Sequence, residues 1–191
     1  MRSTKQVKYI EFEDQPIVLI GFMGCGKSTL GRSLARALKR DFIDLDQQIV
    51  KKAGCTVAEI FRNQGEKAFR AHETRILKTA LKARSVVALG GGTATLGVNR
   101  KIISQARARI VWIDPSWRAL WKRLGLMRAR TRPLLWDDSK GHPKSQQAIK
   151  ALWSARRAIY RQIADVHVRV QKTSTEKQTL IDLIDSMGRE R

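Results

Sequence analysis

The chain predicts an α/β fold, a three-layer α/β/α sandwich built on a five-stranded parallel sheet. Short apolar runs alternate with segments of helical period along its length, and a glycine-rich turn joins the first run to the first helix. The runs are 17–20, 42–45 (interrupted by Asp44), 86–89, 109–113 and 166–170. Three of them are dominated by Val and Ile, as strands buried on both faces of a parallel sheet are. The helix after the glycine-rich turn carries Leu30, Leu34, Ala37 and Leu38 on one side. A later helix presents Ile149, Leu152, Trp153, Ile159, Tyr160 and Ile163. The last places Leu180, Leu183, Ile184 and Met187 at i, i+3, i+4 and i+7.

With 191 residues, the chain suits one domain with a small lid, and 42% hydrophobic content is enough for a single packed core. No internal repeat or low-complexity tract interrupts the pattern. Residues 125–144 do, being rich in Arg, Pro, Gly and Asp without a sustained period, and read largely as a mobile loop. Residues 1–14 are polar and lack the apolar core of a secretory signal, and no run reaches the ~20 apolar residues of a membrane span. Cys25 and Cys55 offer neither a metal-ligand spacing nor a disulfide framework. The expectation is a cytoplasmic protein with no membrane partner.

Charge alone discriminates less. The 38 Lys+Arg against 17 Asp+Glu give a formal net charge of +21, which attracts polyanions of every kind. There is no helix-turn-helix, zinc or RNP pattern, so no specific nucleic-acid partner is expected. Most of these cations read as solvated helix faces, and only one placed by a motif counts as a site residue.

The strongest motif runs from Gly21 to Ser28, Gly-Phe-Met-Gly-Cys-Gly-Lys-Ser, and fits the G-x-x-x-x-G-K-[ST] phosphate loop with a strand before it and a helix after it. Glycines let successive N–H groups point at phosphate oxygens, and the helix N-terminus adds its positive end. Phosphate contacts of ATP then fall to Gly24, Cys25, Gly26, Lys27, Ser28 and Thr29. Lys27 reaches the β- and γ-phosphates and the Ser28 hydroxyl ligates Mg²⁺. Cys25 reads more readily as a small side chain that fits the loop than as a reactive thiol.

Asp44 and Asp46 form a D-x-D pair at the end of the second run. A period of two puts them on one side, at the strand ends where α/β sheets bind ligands. One acid can hold the magnesium shell while the other meets an acceptor hydroxyl. Asp46 could also simply cap a helix over 47–52, which does not exclude that role. Further on, Arg70 and Glu73 are i, i+3 neighbours on a helix, so the carboxylate can hold the guanidinium. Gly90, Gly91 and Gly92 make a second glycine turn where backbone can approach a ligand closely. Arg156 is the odd member of the apolar stripe between Ile149 and Ile163. Such a side chain either meets a ligand carboxylate or extends past the core to water. Arg123 could stack on adenine.

Taken in order, the phosphate loop, the acid pair, the IF…GE..FR..E stretch from Ile60 to Glu73, the triple glycine, Arg132-Pro-Leu-Leu and Arg156 before Tyr160 resemble shikimate kinases, over about residues 17–170. The resemblance implies a nucleoside monophosphate kinase-like P-loop fold, monomeric, with a lid at about 125–144 and a shikimate-binding segment at about 46–82. It implies transfer of the γ-phosphoryl of ATP to the 3-hydroxyl of shikimate, with Mg²⁺. By resemblance Lys27, Asp46 and Arg132 are the catalytic residues. Asp46 contacts the accepting hydroxyl, Asp44 helps hold Mg²⁺ through water, and Arg132 closes over the transferring phosphates, with Arg128 and Arg130 nearby. Arg70 and Arg156 grip the shikimate carboxylate, Gly91 and Gly92 line the pocket, and Phe61 and Phe69 form its apolar wall. The chain departs from the family in having Ala158-Ile159-Tyr160 where Pro-Leu-Tyr is usual. Two other readings stay open: another small-metabolite kinase such as a gluconate kinase, and a non-catalytic basic nucleic-acid-binding protein on the same fold.

Overall fold

A computed structural model describes residues 14–82, 84–125, 135–137, 142–170 and 175–188. Five strands form one parallel sheet: β1 (Ile17–Ile20), β2 (Asp41–Asp44), β3 (Ser85–Ala88), β4 (Arg109–Pro115) and β7 (Val166–Val170), in the order β2-β3-β1-β4-β7. The helices are α1 (Lys27–Ala37), α2 (Leu45–Ala53), α3 (Val57–Ala80), α4 (Gly97–Gln105), α5 (Trp117–Leu124), α6 (Gln146–Ile163) and α7 (Glu176–Met187). All five expected strands are present: β1 and β7 match their expected bounds, and β2, β3 and β4 have ends shifted by one or two residues.

Alternation along the strands divides the core in two. Ile17, Leu19, Val86, Val111 and Ile113 pack with Leu30 and Leu34 of α1, Ile149 of α6 and Leu183 of α7. Val18, Ile20, Val87 and Trp112 pack on the other face with Leu45 and Ile49 of α2, Ile60, Ile76 and Leu77 of α3, and Tyr160 of α6. β1 and β3 are buried throughout, whereas the outer strand β7 alternates buried and exposed residues. That contrast is what a sheet covered on both faces but open at its edges dictates.

Local signals set the helix ends. Thr56 and Glu59 form a reciprocal capping box at the start of α3. Ser145 and Thr175 cap α6 and α7 through their hydroxyls. Within α3 the helix breaks at Gly65 (φ 78°, ψ 172°), a backbone region essentially reserved for glycine.

Within 125–144 the described residues depart from the loop expectation in one respect. Leu135 is buried, and β5 (Trp136–Asp137) pairs antiparallel with β6 (His142–Pro143), with Trp136 packed against the first core cluster. Burial of Leu135 and partial burial of Trp136 supply an anchor that composition did not signal. Arg128, Arg130 and Arg132 lie outside the described residues. Among the described residues no helix is long and apolar enough to cross a membrane. Of their many cations only Lys27 and Arg156 are buried. Several others, including Arg36, Lys51, Lys52, Lys78 and Arg161, occupy last turns of helices, where positive charge complements the helix dipole.

Candidate active site

The parallel sheet brings three loops to one edge: 21–26 after β1, the α2 start after β2, and 90–92 after β3. They border a cleft of about 610 Å³. Along the first loop Gly21, Gly24 and Gly26 take φ values of 144°, 79° and 103°, which side-chain-bearing residues rarely adopt. Helix α1 starts from Gly26 with no side-chain cap and no acid in its first turn. Its N-terminal amides are thus presented to the cleft, the arrangement that binds phosphate. Lys27 is buried, and its Nζ donates to the carbonyls of Gly21 (2.8 Å) and Phe22 (3.1 Å). Gly24, Cys25, Gly26, Ser28 and Thr29 line the cleft beside it. From the last turn of α5, Arg123 reaches the same loop, its Nη1 3.4 Å from the Cys25 carbonyl.

The acid pair is placed differently from the strand argument. Asp44 ends β2 in extended conformation and caps α2, its Oδ1 accepting from the Gln47 amide at 3.2 Å. The helix starts at Leu45, so Asp46 sits in its first turn and is not the cap. The two carboxylates border one cleft because a helix begins between them, not because a strand alternates. Ser28 Oγ donates to Asp44 Oδ2 at 2.5 Å. A hydroxyl and a carboxylate side by side, under a phosphate-binding loop, form an oxygen donor set suited to Mg²⁺, which takes few protein ligands and completes its shell with phosphate and water.

The 90–92 turn gathers the remaining groups. A methyl placed on Gly90 would lie 2.7 Å from Asp46 Oδ1 and 2.8 Å from Glu73 Oε1. On Gly92 it would lie 2.9 and 3.0 Å from the two terminal nitrogens of Arg70 and 3.3 Å from Arg156 Nη2; on Gly91, 3.4 Å from Arg156 Nη1. Asp46, Arg70, Glu73 and Arg156 therefore surround one bare stretch of backbone, and the absence of side chains there makes the space.

The two arginines are held differently. Arg70 donates to Glu73 (2.5 Å) and to Glu66 (3.1 Å from Nε, 2.9 Å from Nη2). Burial opposes its charge, but Glu73 and Glu66 together outweigh burial and push its pKa above the ordinary arginine value. Glu73 is itself fully buried and accepts from Thr93 Oγ1 at 2.5 Å. Arg156 is 6% exposed, and its Nη1 has no hydrogen-bond partner among the described residues. Burial, with Arg70 adding repulsion and the Tyr160 phenol opposing, pushes its pKa below the ordinary value. Its guanidinium lies over the Phe22 ring, 5.4 Å from the centroid. One turn on, Tyr160 donates to the Gly91 carbonyl, and burial pushes its phenol upward. The rings of Phe61 and Phe69 meet tilted, with centroids 4.7 Å apart, and line the cleft, with Arg70 over Phe69.

The geometry thus unites Lys27, Ser28, Asp44, Asp46, Phe61, Phe69, Arg70, Gly91, Gly92, Arg123 and Arg156. It also gives roles to residues that the sequence left without one. Phe22 and Tyr160, which stood in motifs without a function of their own, hold the Arg156 side of the pocket, and Thr93, which no motif marked, supports Glu73. Glu176 and Thr179 of α7 line the cleft near the phosphate loop, with Ser33 donating to Glu176 at 2.5 Å.

A phosphate loop on the central strand, an acid pair beside it and a guanidinium-lined pocket at the same sheet edge define a P-loop phosphotransferase. The shikimate kinase family model matches residues 23–186. The shikimate kinase of Prochlorococcus marinus is 39% identical over 166 residues, 86% of this chain and 83% of that protein. That of Bordetella pertussis is 36% identical over 153 residues, 80% of this chain and 69% of that protein. A solved structure of shikimate kinase from Acinetobacter baumannii in complex with shikimate superimposes with a TM-score of 0.76 at 32% identity, covering 93% of each chain. The chain belongs to the shikimate kinase family.

Proposed function

We propose that the protein transfers the γ-phosphoryl group of ATP to the 3-hydroxyl of shikimate, yielding shikimate 3-phosphate and ADP. The observation that carries this reading is the buried Nη1 of Arg156, unpartnered among the described residues, beside Arg70 at the glycine turn. Two guanidinium groups in a half-apolar pocket call for a planar carboxylate, which can accept from both. Phe61 and Phe69 supply a wall for a carbocyclic ring, and Asp46 approaches the Gly90 end of the same turn, where it can meet a ring hydroxyl.

In this mechanism the amides of 24–29 hold the ATP phosphates and Lys27 places its charge on the β- and γ-oxygens. Ser28 and Asp44 would hold Mg²⁺, which when bound neutralises charge on those oxygens. Asp46 orients the accepting hydroxyl and takes its proton, and the arginine pair fixes the ring so that the hydroxyl faces the γ-phosphorus. Glu73 holds Arg70 in place through their 2.5 Å bond. Arg123 borders the adenine end. The proposed contact of Arg132 with the transferring phosphates, and the closure of residues 125–144 over them, rest on the resemblance alone.

The test is ATP-dependent turnover in an assay coupled to ADP release, with shikimate and gluconate compared at equal concentration. Turnover with shikimate and little with gluconate is expected; equal or faster turnover with gluconate would overturn the assignment.

A further inference from the structure

Four charged side chains are buried among the described residues: Lys27, Glu73, Arg156 and Asp114. The first three border the proposed site. Asp114 does not line the cleft. It stands on β4, 6% exposed. A buried carboxylate is retained only where cations and hydrogen bonds compensate it. Asp114 has both: Arg157 Nε donates to its Oδ1 at 3.0 Å and Arg157 Nη2 to its Oδ2 at 2.6 Å. His167 Nε2 lies 3.1 Å from the same Oδ2. An ionised carboxylate only accepts, so His167 is the donor and carries its proton on Nε2.

The Arg157 guanidinium is also held on its faces. Its centre lies 4.6 Å from the Trp153 ring centroid and 5.5 Å from that of Trp112, and Trp112 stacks on His167 at 4.1 Å. Trp153 contacts Trp117 at 5.3 Å, which joins α6 to α5. This arrangement leaves the fork little freedom. A two-point bond to one carboxylate fixes direction as well as distance.

Arg157 is the residue after Arg156 on α6, about 100° further round the helix. Tyr160 ties the next turn to the Gly91 carbonyl. The helix is therefore anchored at two points, to β4 through Asp114 and to the glycine turn through Tyr160, with Arg156 next to the first anchor residue and one turn before the second. We propose that Asp114 is a positioning residue for the acceptor site: through the Arg157 fork it sets the rotation and height of α6, and so the place of the Arg156 guanidinium beside Gly91 and Gly92. This rests on the proposed reading that Arg156 grips the shikimate carboxylate, and deepens it.

The test compares wild type, Asp114→Asn and Arg157→Lys in steady-state kinetics, varying shikimate and ATP separately. Misplacing a gripping group by about 1 Å costs on the order of tenfold to a hundredfold. The expected result is a rise of that size in KM for shikimate in both variants, with KM for ATP within about twofold of wild type. Arg157→Lys keeps the charge pair but loses the fork, since an ammonium is a point charge without fixed geometry. It decides the matter if Asp114→Asn does not fold. An unchanged KM for shikimate in a folded variant, or a fall in kcat alone, overturns the proposal, because a merely structural anchor would lower the active fraction without moving one KM selectively. A wild type that turns over no shikimate overturns the proposed function instead. The positioning claim is then judged by a crystal structure of Asp114→Asn, or of Arg157→Lys if that variant alone folds. A displaced Arg156 guanidinium supports it and an undisplaced one overturns it.

Discussion

Arg156 of α6 lies over the ring of Phe22, with its guanidinium carbon 5.4 Å from the ring centroid. Phe22 belongs to the phosphate loop, so the loop that holds the nucleotide also supports the arginine proposed to hold the acceptor. The contact is buried on both sides, where a cation over an aromatic face contributes about 0.5–2 kcal/mol. Phe22→Leu keeps most of the packing and removes the aromatic face. It is expected to raise KM for shikimate by a factor of about 2 to 30, with a smaller effect on KM for ATP, as read by steady-state kinetics in the coupled assay.

The acid pair separates by role. Asp46→Asn keeps shape but cannot take a proton, and kcat is expected to fall by a factor on the order of 10² to 10⁴. Binding of ATP, followed by titration with a fluorescent analogue, is expected to stay close to wild type. Loss of analogue binding in this variant would move Asp46 to the nucleotide side.

Gly92→Ala tests the shape of the pocket without touching a charge. The added methyl would stand 2.9 and 3.0 Å from the Arg70 nitrogens and 3.3 Å from Arg156, closer than ordinary contact allows. Both guanidinium groups must shift. The expected outcome is a rise in KM for shikimate of about tenfold or more with a melting temperature near wild type, and the two readouts together distinguish pocket distortion from unfolding.

The capping box makes a pH prediction. Glu59 is exposed, and its hydrogen bonds, first to the Thr56 hydroxyl and then to the Thr56 amide, hold its carboxyl below the ordinary glutamate value. A carboxyl whose pKa is lowered by folding contributes stability above its unfolded pKa and loses it as pH falls through the folded value. Glu59→Gln is therefore expected to melt earlier than wild type near neutral pH, with the gap closing in acid. Thermal melts of both proteins at pH 7 and pH 3 check this, and a gap that widens in acid would contradict it.

Most of the layer architecture was legible because parallel strands buried on both faces leave nearly unbroken Val and Ile runs, as in 17–20 and 86–89. The phosphate loop was legible because few residue types fit its backbone. Arg156 stood out as a charge within an apolar stripe, and it is buried with Nη1 unpartnered among the described residues. What escaped was set by tertiary contact or by a one-residue boundary. Whether Asp44 or Asp46 caps α2 depends on where the strand ends, and periodicity does not resolve that. The Phe22–Arg156 and Asp114–Arg157 contacts join segments far apart in the chain, and no local pattern announces them. The β5–β6 pair is two residues long on each side, too short to leave a period.

The break at Gly65 reaches further than its position suggests. Residues eight apart on a straight α-helix are separated by about 12 Å along the axis, yet the rings of Phe61 and Phe69 meet at 4.7 Å across this interruption. Among the described residues nothing crowds the site: a methyl there would touch no neighbour within 4 Å. A survey that ranks substitutions by steric clash would pass Gly65→Ala as harmless. The backbone angles strain any residue that carries a side chain, so a change at this roomy position loads the bend that lets the two rings on the apolar flank of the pocket meet.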